Sequence, residues 1–219
     1  MLGVSLAVII ARAVTLLVAF TIHELAHAVS ADRLGDSTPR RMGRITLNPL
    51  AHLDPVGTFM LLIAGFGWAK PVMVNPYNMR GNPRSMMAVV ALAGPASNIV
   101  MATAAAVPFR LGLLSFTFFS TSAVVPSFDF LLSQFLWINV ILAIFNLIPI
   151  PPLDGFKILT GLLPANMAYQ LQPLEQYGML ILLAVILLPS FLPFVPDFVG
   201  SFLVTTSASI TNLLIGGFI

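Results

Sequence analysis

Val18-Ala19-Phe20-Thr21-Ile22-His23-Glu24-Leu25-Ala26-His27 decides how this chain is read. The stretch lies in an apolar run that starts near Val4, and lipid solubility asks for neither imidazole nor carboxylate there. On a helix His23 and His27 are four residues apart, so they project from one face, one turn above the other. That spacing lets both rings bind one metal ion, with Glu24 beside them to take a proton from an attacking water. The sequence has only 3 histidines, and two of them are here. The plainer alternative is a histidine pair at a helix end, where lipid gives way to headgroups. Against it, ionisable groups inside a span are costly and rarely lack a role.

Composition fixes the solvent. The chain has 219 residues, 58% hydrophobic and 8% charged, where an average soluble domain carries about 25% charged residues. Mean hydropathy is +0.98. A soluble fold of this size could not hide so much apolar surface, so the expected class is an all-α polytopic membrane protein in contact with the lipid bilayer. No stretch is polar enough for a separate soluble domain, and residues 1–219 read as a single membrane-embedded domain. Cysteine is absent, which excludes disulfides and thiolate metal sites and leaves histidine, carboxylate and water as ligands. The net charge of +2 is small, and the basic residues cluster in a way that suits membrane orientation. No nucleic-acid partner is expected.

About five transmembrane helices are expected, near Val4–Ala31, Met86–Val107, Phe128–Ile148, Gly178–Leu192 and Phe198–Ile219. Arg12 in the first can snorkel to the interface. A cleaved signal peptide is rejected for this span: the run is too long, it lacks a clear small-x-small site, and cleavage would discard both histidines. Between Ala31 and Met86 the character changes, with seven of the ten Lys and Arg and many Gly, Pro and Asn. Arg44-Ile45-Thr46-Leu47-Asn48 and Lys70-Pro71-Val72-Met73-Val74-Asn75 look like short strands bounded by turn residues. Val56–Phe66 is apolar but too short to span, so the segment is expected to form a small re-entrant β-hairpin held against protein. The second span carries Gly94-Pro95-Ala96-Ser97-Asn98, whose small residues allow close helix approach. The third carries Asn139 and Asn146, and Pro149-Ile150-Pro151-Pro152 then ends it. The last two spans have no charge in their apolar cores and read as packing or gating helices.

The basic cluster places Arg33–Arg84 in the cytoplasm and the N-terminus outside, in keeping with a prokaryotic plasma-membrane protein. His27 lies roughly 9 Å of helix from Arg33, which puts the site inside the lipid region near its cytoplasmic boundary. A catalytic zinc commonly has three protein ligands and one open position. The third ligand must come from Asp32, Asp36, Asp54, Asp129, Asp154, Glu175, Asp197 or His52. Asp154 is the best placed, because the proline-broken segment before it must face protein or a water-filled cavity. An ordinary Asp-Gly turn is the alternative. His52 could be a further ligand, a partner behind the ligands or a structural hydrogen bonder. With Asp154 supplying the third ligand, the last two roles are favoured, and Asp54 follows the same logic.

His23-Glu24-x-x-His27 followed by Asn146-x-x-Pro149-x-Pro151-x-Leu153-Asp154-Gly155 resembles the site-2 protease family of intramembrane zinc metalloproteases. Asn48-Pro49-x-x-His52-x-Asp54-Pro55-x-Gly57-Thr58 and Gly94-Pro95-x-x-Asn98 are similar to further stretches of that family. The resemblance covers at least Thr21–Gly155. It implies His23, His27 and Asp154 as ligands of one Zn2+ per chain, Glu24 as general base, and Asn146 assisting at the scissile carbonyl. It also implies a catalytic core over about 4–160 with accessory helices over about 176–219, in a compact member without PDZ or CBS domain. The expected activity is endoproteolysis of a single-span membrane-protein substrate, in regulated intramembrane proteolysis; the oligomeric state is not legible. The strand-like segments would receive the unwound substrate by strand addition, and Pro149–Pro152 with Gly65 and Gly67 would line a water route from the cytoplasm. A metal transporter using the same ligands, which would not need Glu24 as an acid–base group, and a non-catalytic protease-like scaffold, which would keep the fold without bound metal, are the other function classes.

Overall fold

The computed structural model describes residues 5–57, 67–192 and 194–217. Along the chain lie α1 (Leu6–Leu34), α2 (Thr38–Arg41), α3 (Pro83–Arg110), α4 (Phe128–Leu147), α5 (Asp154–Leu162), α6 (Ala165–Leu171), α7 (Gly178–Phe191) and α8 (Phe198–Ile215). A 3-10 turn, Gln172–Tyr177, joins α6 to α7. Among the described residues, five helical stretches are long and apolar enough to cross a membrane: α1, α3, α4, the continuous Ala165–Phe191 stretch, and α8.

Local chemistry sets the helix ends. Ser5, Asn82, Ser127 and Asp197 each accept a backbone N–H from the first turn of the helix they precede, which satisfies donors that have no partner within the helix. Pro83 opens α3, where its missing N–H costs nothing. Gly35, at φ 119°, ends α1 in the left-handed conformation that a side chain would resist.

The buried face of α1 runs Ala7, Ala11, Thr15, Ala19, His23, His27 and Ala31, one residue every four. Small residues at this spacing let α3 and α4 lie close against α1, with the two histidines emerging from the same row. On α3 the facing row is Ala91, Gly94, Asn98 and Ala102. Away from the histidines, Ala102, Ala105, Ala106 and Phe109 of α3 pack with Leu136, Val140 and Ile144 of α4 and Ile215 of α8. Helix α4 is the most buried span, and the Ala165–Phe191 stretch is the least. Short α5 lies along α3, where Gly161 leaves room for Ala88 and the Arg84 carbonyl.

The expected β-hairpin is not there: no strand occurs among the described residues, and a single bridge pairs Leu53 with Ala69. The physical reason lies in where the backbone groups go. Pro49, Pro71 and Pro76 carry no donor. The Val72 N–H goes to Glu24 and the Asn75 N–H to Asp36. The buried Arg44 guanidinium takes the carbonyls of Ala51 and Lys70. Side chains thus occupy the groups that a ladder would have used, and residues 70–75 take no regular secondary structure. The apolar Val56–Phe66 stretch lies, beyond Gly57, outside the described residues.

Candidate metal centre

Three buried side chains from separate parts of the sequence meet at one point. The His23 and His27 Nε2 atoms are 3.0 Å apart, and Asp154 Oδ2 lies 3.1 Å from the first and 3.2 Å from the second. Helix α1 supplies the histidines by the i, i+4 spacing. Asp154 is brought in by the turn after α4: Gly155 sits against the Leu147 and Ile148 carbonyls, where any Cβ would overlap them, so α5 folds back tightly on the end of α4. Gly94 of α3 covers the imidazoles, and a Cβ there would collide with both Nε2 atoms.

The outer ring nitrogens identify the tautomers. His27 Nδ1 lies 2.7 Å from the Val90 carbonyl, which can only accept, so that nitrogen carries the proton. His23 Nδ1 lies 2.6 Å from Asn98 Oδ1 and donates to it. With both rings neutral, as metal ligation requires, both Nε2 atoms present lone pairs toward the Asp154 carboxylate. Three acceptors this close repel one another unless a proton or a metal cation sits among them. Zinc bonds of about 2.0–2.1 Å in tetrahedral geometry place neighbouring ligand atoms about 3.3 Å apart, close to the spacing here. Donor chemistry and spacing both fit zinc.

Glu24 is buried next to this group, and its Oε2 accepts the Val72 N–H at 3.1 Å. A cavity of about 390 Å³ opens onto the cluster and is lined by His23, Glu24, His27 and Asp154 together with Asn146, Lys157, Trp68, Val72 and Met179. Asn146 gives one N–H to the Leu142 carbonyl at 2.9 Å, which leaves its second N–H for the cavity. Gly67 and Pro152 of the expected water route line the cavity as well, while Gly65 lies outside the described residues. His52 is buried elsewhere, with Nε2 2.9 Å from the Thr46 carbonyl, and it is not part of the cluster. Asp54 accepts the Gly57 N–H at 2.8 Å and also stands apart from the cluster.

Several residues around the site have roles that the sequence alone does not assign. Arg44 fixes the loop wall; burial lowers its pKa, while the Glu24 carboxylate opposes that. Asp36, fully buried, accepts from the Asn75 and Thr38 backbones, the Thr38 hydroxyl and the Asn78 amide. Burial pushes its carboxyl up, but these hydrogen bonds outweigh burial and hold it below the usual range. Lys157 Nζ lies 3.9 Å from Asp154 Oδ1, the oxygen turned away from the histidines. A clue for Asn98 and Asn139 was present, since both are amides inside apolar spans. For Arg44 and Asp36 no spacing pattern pointed to a role.

A profile described as Peptidase family M50 matches residues 112–189, a stretch that holds Asn146 and Asp154. Among curated proteins, "Putative zinc metalloprotease YwhC" of Bacillus subtilis (strain 168) is 41% identical over 180 residues, covering 80% of each chain. "Putative zinc metalloprotease Rip2" of Mycolicibacterium smegmatis is 33% identical and its Mycobacterium tuberculosis (strain H37Rv) counterpart 32%, each over 80% of this chain. The chain spans 65% of the length of these mycobacterial relatives. No solved structure gave a significant match. The extent of identity to YwhC, together with the histidine–aspartate cluster, places the chain: it belongs to peptidase family M50, the site-2 protease family of zinc metalloproteases.

Proposed function

We propose that this chain is an intramembrane zinc endopeptidase that cuts membrane-protein substrates within or near a transmembrane segment, in regulated intramembrane proteolysis. The observation that carries the reading is the convergence of His23, His27 and Asp154 beside Glu24, in a cavity among helices apolar enough to span a bilayer. In this reading His23, His27 and Asp154 hold one zinc ion, and residues 1–219 act as one membrane-embedded domain whose catalytic core covers about 4–160. Arg33–Arg84 faces the cytoplasm, the N-terminus lies outside, and the membrane is a prokaryotic plasma membrane.

When bound, zinc supplies Lewis acidity and makes water acidic enough to yield hydroxide near pH 7. Glu24 takes the proton of the attacking water and returns it to the leaving amine. The free N–H of Asn146 donates to the oxygen on which charge develops as the scissile carbonyl is attacked. The Nδ1 hydrogen bonds of His23 and His27 keep both rings turned to the same point. Helices α3 and α4 shield that point from lipid, and water reaches it past Gly67 and Pro152. A single-span substrate must unwind locally, since its carbonyls are otherwise tied up in helical hydrogen bonds.

The test is cleavage of candidate single-span substrates by the reconstituted protein, with the cut mapped by mass spectrometry. The expected cut lies within, or at the cytoplasmic edge of, the substrate's membrane segment. A cut in a soluble outer loop overturns the depth assigned to the site.

A further inference from the structure

The His23 tautomer depends on a group two side chains away. Asn139 of α4, fully buried, donates an amide N–H to the Phe135 carbonyl at 2.8 Å. A backbone carbonyl can only accept, so the amino group of Asn139 must point there and its Oδ1 must point the other way. That Oδ1 lies 2.8 Å from Asn98 Nδ2, and Asn98 is fully buried too. An oxygen can only accept from the amide, so the amino group of Asn98 is fixed on the α4 side and its Oδ1 faces His23 at 2.6 Å. His23 Nδ1 must then carry a proton, and in the neutral ring the Nε2 lone pair is left pointing at His27 and Asp154.

From this chain we infer that Asn139 is a positioning residue for the metal centre: by fixing which way the Asn98 amide faces, it holds His23 in the tautomer that can bind metal. The inference rests on the proposed zinc role of His23 and deepens it. Without Asn139, Asn98 can turn its amide over. Its amino group would then donate to His23 Nδ1 and move the ring proton to Nε2, into the position a metal needs. His27 needs no such device, because the Val90 carbonyl fixes its tautomer directly. The two ligands are thus set by different routes, one by helix backbone and one by a relay across three helices. Partners that orient a ligating histidine typically contribute about 10–100-fold in metal affinity.

Two variants separate this role from simple packing. Asn139→Leu keeps the branched heavy-atom skeleton and removes both hydrogen bonds. Asn139→Asp stays protonated in an apolar interior, donates its O–H to Phe135, accepts from Asn98 and so keeps the polarity of the relay. A packing role predicts that both are tolerated; the relay predicts that Leu loses the His23 tautomer and Asp keeps it.

The experiment measures zinc affinity by chelator competition on full-length native, Leu and Asp proteins, with thermal unfolding as the check on folding. NMR of isotope-labelled histidine in the metal-free proteins reports which His23 nitrogen carries the proton. The relay predicts about 10-fold weaker zinc binding and an Nε2–H population for Leu, with near-native values for Asp. Should Leu fail to fold, Asn139→Ala takes its place in the same comparison. Native affinity and native tautomer in Leu or Ala overturn the inference, as does Asp being weakened as much as Leu. If the native protein holds no zinc at all, the proposed metal centre fails. The tautomer measurement, made without metal, still decides on Asn139.

Discussion

The Glu24 carboxylate accepts the backbone N–H of Val72 at 3.1 Å, which ties a side chain of α1 to the loop wall of the cavity across 48 positions of sequence. One carboxylate oxygen is thereby held by a fixed donor, leaving the other to face the cavity. A proline at position 72 removes that donor and touches none of His23, His27 or Asp154. Val72→Pro is expected to keep about one zinc per chain and to slow cleavage by about 10-fold, comparable to losing one hydrogen bond to a charged group. Zinc content by elemental analysis alongside a cleavage assay checks this; native cleavage rates in the variant would show that the contact does not serve Glu24.

Gly94→Ala sets two effects against each other. In a helix interior alanine is worth about 1 kcal/mol over glycine, so helix propensity alone predicts a more stable protein. At this position the added methyl collides with both imidazole Nε2 atoms. Loss of bound zinc with the helical content intact is expected, read by elemental analysis and circular dichroism. A variant with full zinc occupancy would mean that the imidazoles have room the structure denies them.

Asp154→Ala removes the carboxylate from the cluster and leaves the two histidines. Strongly weakened zinc retention is expected, since a three-ligand site falls to two. Undiminished zinc in that protein would take Asp154 out of the ligand set.

Asp36 offers a pH-dependent test away from the metal. Its carboxyl is lowered from 3.8, so its share of stability is complete above about pH 5, more than a unit over the unfolded value, and is lost as pH falls through the lowered folded value. Asp36→Asn is expected to reduce the midpoint of thermal unfolding at pH 7 by about 5 °C, and the difference from native should shrink in acid. A gap that stays constant down to pH 2 would contradict an ionised Asp36.

How much could be read from sequence follows from what encodes each part. Apolar runs encode the spans, so Phe128–Ile148 was expected where α4 covers Phe128–Leu147. The i, i+4 histidines needed only helix geometry, and Asp154 needed only the proline break before it. The hairpin reading failed at Arg44–Asn48 and Lys70–Asn75 because β-branched and apolar residues there matched a strand pattern, whereas their backbone partners are Arg44, Glu24 and Asp36. Such side-chain-to-backbone bonds join residues 26 to 48 positions apart and leave no periodic trace. Asn139 shows the same limit: an amide inside a span signals a partner, but only the fold reveals that the partner is Asn98.

Orientation is open to direct labelling, because the chain has no cysteine of its own. A cysteine at Ser37 is expected to resist an impermeant reagent added to intact cells, and one at Ser122 to react. The opposite pattern would place Arg33–Arg84 outside.

The central claim is that Glu24 performs the proton transfer of a zinc-dependent cut, and the most direct measurement compares native protein with Glu24→Gln, each reconstituted with a single-span substrate and assayed for bound zinc. The account predicts about one zinc per chain in both and cleavage slowed by about 10²–10⁴-fold in the glutamine variant. Equal cleavage by the two proteins at equal zinc content would contradict it.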